Sequence, residues 1–355
     1  MAGYGRKAFI MGKRVILANP RGFCAGVDRA IATVRTILKA ADSDRTSASE
    51  GAAEGAAEGN RAQLPPVYVR RQIVHNRHVV AELAEQGAVF VQELDEIPDS
   101  AAQAHVPIVF SAHGVSPSVK DEAARRGLNV VDATCPLVAK VHREVLRFAR
   151  EAYEIIYIGH RGHDEAVGVV GEAPARVHLV ENEADVDALS FAPDAKLVYL
   201  SQTTLSIEET EGLIAHLHER FPGIVAPPSS DICYATSNRQ AAVKAVAKDA
   251  DCVIVVGSAN SSNSVRLVEV ANESMGDRGH AHRVDDAGEL DPSWFDGVHA
   301  VGVTSGASVP EQLVDGVVDA LAAWGFDDVR EVDTIEENMH FVLPPQLRAM
   351  MRQRA

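Results

Sequence analysis

Short apolar runs alternate with amphipathic segments along most of this chain. The runs have the length of strands, and the segments between them carry apolar residues three and four positions apart, as helices packed on a sheet do. Because strands that alternate with helices pair in parallel, the pattern predicts an α/β fold with parallel sheets. The predicted strands are 15–18, 67–70, 88–91, 107–110, 129–131, 154–158, 176–180, 196–200, 223–226, 252–256, 281–284 and 299–303.

Residues 41–63 interrupt this regular alternation. The apolar spacing of the first helix ends near Ala40, and the residues after it are small, acidic and short of large apolar side chains. Such a composition cannot bury enough surface to fold, so we expect a disordered insertion. Residues 1–12 likewise look like an unstructured extension.

Three cysteines occur in the same local context. Cys24, Cys135 and Cys233 each follow an apolar run and directly precede a helix-like segment, where unpaired N–H groups favour a thiolate. They lie 111 and 98 residues apart, about one small domain each. We therefore predict three similar small α/β units, each with four strands, meeting at a common centre. Cys252 begins an apolar strand and is expected to be an inert core residue.

The cysteine positions also set the predicted boundaries. The first unit covers 26–135 and includes the 41–63 insertion, and the second covers 136–229. The third combines 230–320 with 13–25, and 321–355 forms a C-terminal tail that packs on or closes the body.

Three converging thiolates are compatible with more than one kind of centre. Structural zinc usually takes four ligands with close pairs in sequence, which this chain lacks. A cubane iron–sulfur cluster normally takes four cysteines, so three would leave one iron open for a substrate. Spacing alone places a cluster slightly ahead of zinc and leaves a purely structural trio open.

Polar residues follow many of the predicted strands, at the sheet edge where ligands bind in parallel α/β folds. The hydroxyls, the asparagine amide and the helix N-termini suit a buried phosphate or diphosphate group, to which protonated histidines would add charge. Glu165 is placed for proton transfer, although acids are also common in the first turn of a helix. Each loop taken singly is equally compatible with ordinary turn and cap residues.

Composition narrows the function classes. The net charge of −16 argues against nucleic acid or an anionic membrane as a partner. The four cysteines do not form a secreted disulfide framework, and no apolar run approaches eighteen residues. We expect a cytoplasmic protein with reduced thiols and no membrane association.

Together the motifs resemble the 4-hydroxy-3-methylbut-2-enyl diphosphate reductase family of the non-mevalonate isoprenoid pathway. The resemblance extends over roughly residues 15–320 and rests on eight strings in order: 19–30, 74–80, 110–116, 132–142, 159–165, 201–206, 231–240 and 257–267. It implies three α/β domains arranged as a trefoil around a [4Fe-4S] cluster bound by Cys24, Cys135 and Cys233. The implied reaction is reductive dehydroxylation of the allylic diphosphate at the open iron, giving isopentenyl and dimethylallyl diphosphate.

The resemblance also implies residue roles and partners. Glu165 matches the proton donor, and an electron donor of ferredoxin or flavodoxin type is implied. The residues that match substrate contacts are His75, His113, His163, Thr203, Ser261, Ser262, Asn263 and Ser308. The chain departs from the family pattern in the 41–63 insertion, the N-terminal extension and Asp164, which stands where proline is expected. An iron–sulfur hydro-lyase or a non-catalytic cluster sensor is the alternative, and a homodimer stays open.

Overall fold

The structure, a computed structural model, describes residues 12–51 and 66–354. Within these ranges the chain forms twelve strands, all of them paired in parallel. The strands are β1 (Arg14–Asn19), β2 (Val67–Arg70), β3 (Ala88–Val91), β4 (Pro107–Phe110), β5 (Asn129–Asp132), β6 (Tyr153–Ile158), β7 (Val177–Val180), β8 (Lys196–Ser201), β9 (Cys252–Val256), β10 (His280–Val284), β11 (Ala300–Ser305) and β12 (Asp328–Asp333).

Helices connect most of these strands, as expected for parallel pairing. They are α1 (Ala25–Gly51), α2 (Arg77–Glu85), α3 (Asp99–Gln103), α4 (Pro117–Arg125), α5 (Pro136–Arg150), α6 (Asp164–Val170), α7 (Glu183–Ala188), α8 (Ile207–Arg220), α9 (Tyr234–Ala247), α10 (Ser262–Met275), α11 (Glu311–Ala323) and α12 (Pro345–Arg354). Short 3₁₀ segments occur at Leu94–Glu96, Gly276–Arg278, Ala287–Glu289 and Pro292–Phe295. Among the described residues, no helix has the length and apolar character needed to cross a bilayer.

One compact unit contains residues 12–22 and 238–337. Its sheet has the strand order β10-β9-β11-β1-β12. β9 is buried along its whole length, as is typical of a central parallel strand covered on both faces. Val15, Ile254, Val303 and Phe326 are fully buried in its main core cluster, which places the apolar run of β1 beside β11.

The other compact unit contains residues 23–237 and 338–354 and has two parallel sheets. Their strand orders are β3-β2-β4-β5 and β7-β6-β8. Leu347 of α12 packs with Ile31 and Val69 in one buried cluster, so the last helix completes this unit's core. The parallel α/β fold with three sheets confirms the predicted class. The division into three domains at 26–135, 136–229 and 230–320 stays a prediction.

Three sequence-based expectations about elements are corrected. Helix α1 does not end near Ala40 but continues to Gly51, because residues 41–50 contain neither glycine nor proline and include alanines, the best helix formers. The expected disorder is therefore wrong for 41–51. The rest of the insertion, 52–63, and the extension through residue 11 lie outside the described residues.

The expected four strands per unit are also wrong. Residues 223–226 contribute only the single bridge between Val198 and Val225, since the flanking prolines have no N–H groups for a ladder. Conversely, β12 lies within the expected tail and extends the sheet beside β1. Its charged sequence suits an exposed edge strand, and because it contains no apolar run the sequence pattern did not predict it. The three sheets therefore have five, four and three strands.

Candidate functional site

The three predicted ligand cysteines all stand at helix starts, as expected. Helix α1 begins directly after Cys24, Cys135 is the N-cap of α5, and α9 begins directly after Cys233. The N–H of Thr236 lies 3.4 Å from Cys233 Sγ, and its hydroxyl oxygen lies 3.2 Å from the same sulfur. Donors at the helix starts thus point at sulfur atoms and favour their thiolate form.

The three thiols are electrostatic neighbours within the compact unit that contains the four-stranded and the three-stranded sheets. Burial, together with the nearby Cys24 and Cys233, raises the pKa of Cys135 to about 12. Burial likewise raises the pKa of Cys233 to about 11, again with a contribution from Cys24. Without a positive centre Cys135 and Cys233 would stay protonated at neutral pH. A bound metal cluster would stabilise three thiolates here, so the donor set fits such a group.

Gly26 leaves the space that this arrangement needs. A Cβ atom on Gly26 would lie 2.7 Å from Cys135 Sγ and 3.8 Å from Cys24 Sγ. The backbone of α1 therefore comes close to both sulfurs, and a side chain at position 26 would collide with Cys135 Sγ. Cys252, in contrast, is buried in β9 and belongs to the apolar core of the unit with the five-stranded sheet, as predicted.

Glu165 is a fully buried carboxyl group in the same unit as the three cysteines. Its two oxygens accept hydrogen bonds of 2.8 Å from the N–H and the hydroxyl of Thr203. Burial raises the pKa of Glu165 to about 7, although the bonds from Thr203 act to lower it. The group is thus partly protonated near neutral pH, which is the condition that a general acid requires.

His75, His113 and His163 form one cluster, as the sequence suggested. The rings of His75 and His113 stack with centroids 3.9 Å apart, and His163 stands edge-on to His75 at 5.1 Å. Burial lowers the pKa of His75 and of His113, and it lowers the pKa of His163 to about 4. The histidines therefore do not carry the charge expected of them in the free protein at neutral pH.

The remaining predicted contacts, apart from Thr203, belong to the unit with the five-stranded sheet, where the structure brings them to neighbouring loops. Ser261 caps α10 by accepting a hydrogen bond from the N–H of Ser264. The Asn263 side-chain oxygen accepts a 2.9 Å bond from the N–H of Ala307, which places Asn263 beside the loop of Ser308. The Asn263 amide nitrogen is buried and has no hydrogen-bond partner among the described residues, and such a donor suits an anionic ligand. Ser262 and Ser308 are also buried.

These site residues all fall within the part of the chain that matches one known protein family. A family model described as LytB protein matches residues 15–322. The chain belongs to this family. The LytB match includes most of both compact units and all twelve predicted site residues.

Relatives with curated names align with nearly the whole chain. The chain is 69% identical to the 4-hydroxy-3-methylbut-2-enyl diphosphate reductase of Bifidobacterium longum (strain NCC 2705), with 95% of this chain and 93% of the relative aligned. It is 54% identical to the reductase of the same name from Rhodococcus opacus (strain B4), over 95% and 92% of the two chains. A solved E-1-hydroxy-2-methyl-but-2-enyl-4-diphosphate reductase from Plasmodium falciparum has a similar fold, with a TM-score of 0.85, 37% identity and coverage of 97% and 99%.

Sequence reasoning missed several supporting residues of this LytB family member. Arg29 is buried and donates to the carbonyls of Ala133 and Thr134, which fixes the chain just before Cys135. Gly26 and Arg29 lie within the 19–30 string, which was the available signal, yet nothing local revealed their distant contacts. Arg71, which lies outside the matched strings, forms an ion pair with Asp164.

We expect Gly26→Ala to weaken cluster binding in this LytB protein. The added methyl group would collide with Cys135 Sγ, and altered ligand placement typically costs about 10- to 100-fold in metal affinity. Iron content after anaerobic reconstitution measures the effect. Gly212→Ala in α8 is the matched control because no atom lies within 4 Å of the added methyl. Equal iron loading of both variants would contradict the close approach.

Proposed function

We propose that this chain reduces (E)-4-hydroxy-3-methylbut-2-enyl diphosphate to isopentenyl and dimethylallyl diphosphate. The observation that carries the proposal is the 69% identity, over nearly the full length of both chains, to a reductase named for this substrate. The reaction consumes two electrons and two protons, breaks the allylic C–O bond and releases the hydroxyl as water.

Cys24, Cys135 and Cys233 would hold a [4Fe-4S] cluster. Three neighbouring, only partly exposed thiols beside a side-chain-free Gly26 support this assignment. When bound, the cluster supplies single electrons and a Lewis-acidic iron, because three cysteines leave one iron without a protein ligand. We expect an electron donor of ferredoxin or flavodoxin type, and a cytoplasmic location in keeping with reduced thiols.

Glu165 holds the proton that the departing hydroxyl needs. Burial raises the pKa of Glu165 to about 7, so the protonated acid is available near neutral pH without losing the ability to give the proton up. Thr203 fixes both carboxyl oxygens by hydrogen bonds and so orients the proton. Water has little access to this acid, which is 1% exposed.

The substrate's diphosphate would contact the buried polar groups. We assign this role to His75, His113, His163, Thr203, Ser261, Ser262, Asn263 and Ser308. The unpartnered amide nitrogen of Asn263 supports the assignment because an anionic oxygen would satisfy it. The neutral histidines of the free protein can take up protons when the anion arrives.

An anaerobic assay with reconstituted protein tests the proposal. We expect formation of both diphosphate products only when a chemically reduced donor, such as reduced methyl viologen, is present. Turnover without any donor would indicate a hydro-lyase, since that reaction uses no net electrons. A cluster-loaded protein without turnover under either condition would indicate a sensor, and both of these results would contradict the proposal.

A further inference from the structure

Asp164 occupies a place that the proposed reaction does not explain. It is the first residue of α6, immediately between His163 and Glu165. One of its oxygens forms an ion pair with Arg71, whose other terminal nitrogen lies 3.0 Å from Glu93. Asp164 is therefore held by a guanidinium group that is itself anchored.

The second oxygen of Asp164 faces the histidine cluster. It lies 4.0 Å from His75 Nε2, and His75 in turn stacks on His113 and meets the edge of His163. The Asp164 and Arg71 side chains are only 16% and 26% exposed, so solvent screens this contact weakly. A carboxylate thus stands next to three imidazoles in a partly dry environment.

The groups around His75 and His163 act on their pKa values in opposite directions. Burial lowers the pKa of His75, and Asp164 raises it. For His163, burial, His75 and His160 lower the pKa, while Asp164 raises it. Burial, His75, His163 and Arg71 all lower the pKa of His113. Asp164 thus favours the charged form of both His75 and His163.

A bound metal ion explains this arrangement less well than regulation of the histidine charges does. Ligand atoms of His75, His113 and Asp164 do lie within 4.8 Å of one another. However, imidazole lone pairs lie in the ring plane, and the planes of His75 and His113 are inclined by only 24°. Two nearly parallel stacked rings cannot both direct their lone pairs at one ion. Charge regulation fits the geometry better than metal ligation.

We propose that Asp164, fixed by Arg71, is a positioning residue that lets His75 and His163 become protonated when a diphosphate group binds. The inference rests on the proposed function, since it gives the histidine cluster an anionic ligand. A carboxylate 4.0 Å from His75 acts more strongly on that ring than on an anion beyond it, because Coulomb energy falls with distance. Its own repulsion of the anion is offset by the paired Arg71.

Calorimetry with inorganic diphosphate and the anaerobic holoenzyme tests the inference. Titrations at pH 7.5 in two buffers of different ionisation heat give both Kd and the protons taken up. We expect Asp164→Asn to raise Kd by about 5- to 10-fold and to reduce proton uptake, because a lost charge partner lowers imidazole pKa values. The difference should shrink at pH 5.5, and Asp164→Glu should restore most of the uptake. The ligand's own protonation cancels in these comparisons.

Asp121→Asn is the matched control, since Asp121 is an exposed residue of α4. Unchanged Kd and proton uptake in Asp164→Asn, or absence of diphosphate binding to the wild-type protein, would overturn the inference. The results also distinguish failure of this inference from failure of the reductase proposal. If the wild type shows Asp164-dependent proton uptake but no turnover, the inference stands and the reductase assignment falls. If it turns over normally and Asp164→Asn binds like wild type, the reverse holds.

Discussion

Glu165→Gln is expected to lower turnover by about 100- to 10,000-fold, the usual contribution of a general acid. Glutamine keeps the shape of the side chain and can still accept the hydrogen bond from the Thr203 N–H, but it has no proton to give. Because the pKa of Glu165 is raised to about 7, the protonated fraction falls as the pH rises through neutrality. The wild-type rate should therefore decline as the pH rises above neutrality, and the rate of the variant should not show this decline. Steady-state assays across pH measure both effects.

The competing explanation makes Glu165 a first-turn helix acid without a chemical role. Glu183→Gln in the first turn of α7 is the matched control, since Glu183 is exposed and has only that role. Such an acid contributes about 0.3 to 1 kcal/mol of stability through the helix dipole. Near-normal turnover of cluster-loaded Glu165→Gln, with only a small shift in Tm as in the control, would rule out the proton-donor role.

Serine at Cys24, Cys135 or Cys233 is expected to remove most of the bound iron and abolish turnover. A hydroxyl is a far weaker ligand than a thiolate, and a cluster with only three protein ligands has none to spare. Iron and sulfide per chain after anaerobic reconstitution give the loading, and circular dichroism shows whether each variant is folded. Each of the three variants should fail independently, because all three sulfurs are neighbours in one unit.

Cys252→Ser serves as the control for general loss of a thiol. Cys252 is buried in β9 of the other unit, so a serine hydroxyl there is expected to cost about 1 to 3 kcal/mol of stability and to leave iron loading unchanged. Full iron retention in any of the three ligand variants, or iron loss in a folded Cys252→Ser, would contradict the assignment of ligands.

Local patterns predicted the elements that bury apolar residues. β9 and β11 were recognisable because central parallel strands are continuous apolar runs. The charged edge strand β12 was not, since its pairing with β1 depends on a neighbour more than three hundred positions away in sequence. Helix α1 was predicted too short because apolar periodicity reports packing, whereas its last turns continue through backbone propensity.

By itself, the sequence determined the parallel α/β class, the helix starts at Cys24, Cys135 and Cys233, and the family with its candidate residues. These depend on periodicity and on contiguous motifs, which are readable along the chain. Only the tertiary structure decided that Gly26 must lack a side chain, that burial leaves the three histidines neutral, and that Arg71 holds Asp164 beside His75. Such features arise from close packing and desolvation between residues distant in sequence, for which no local pattern exists.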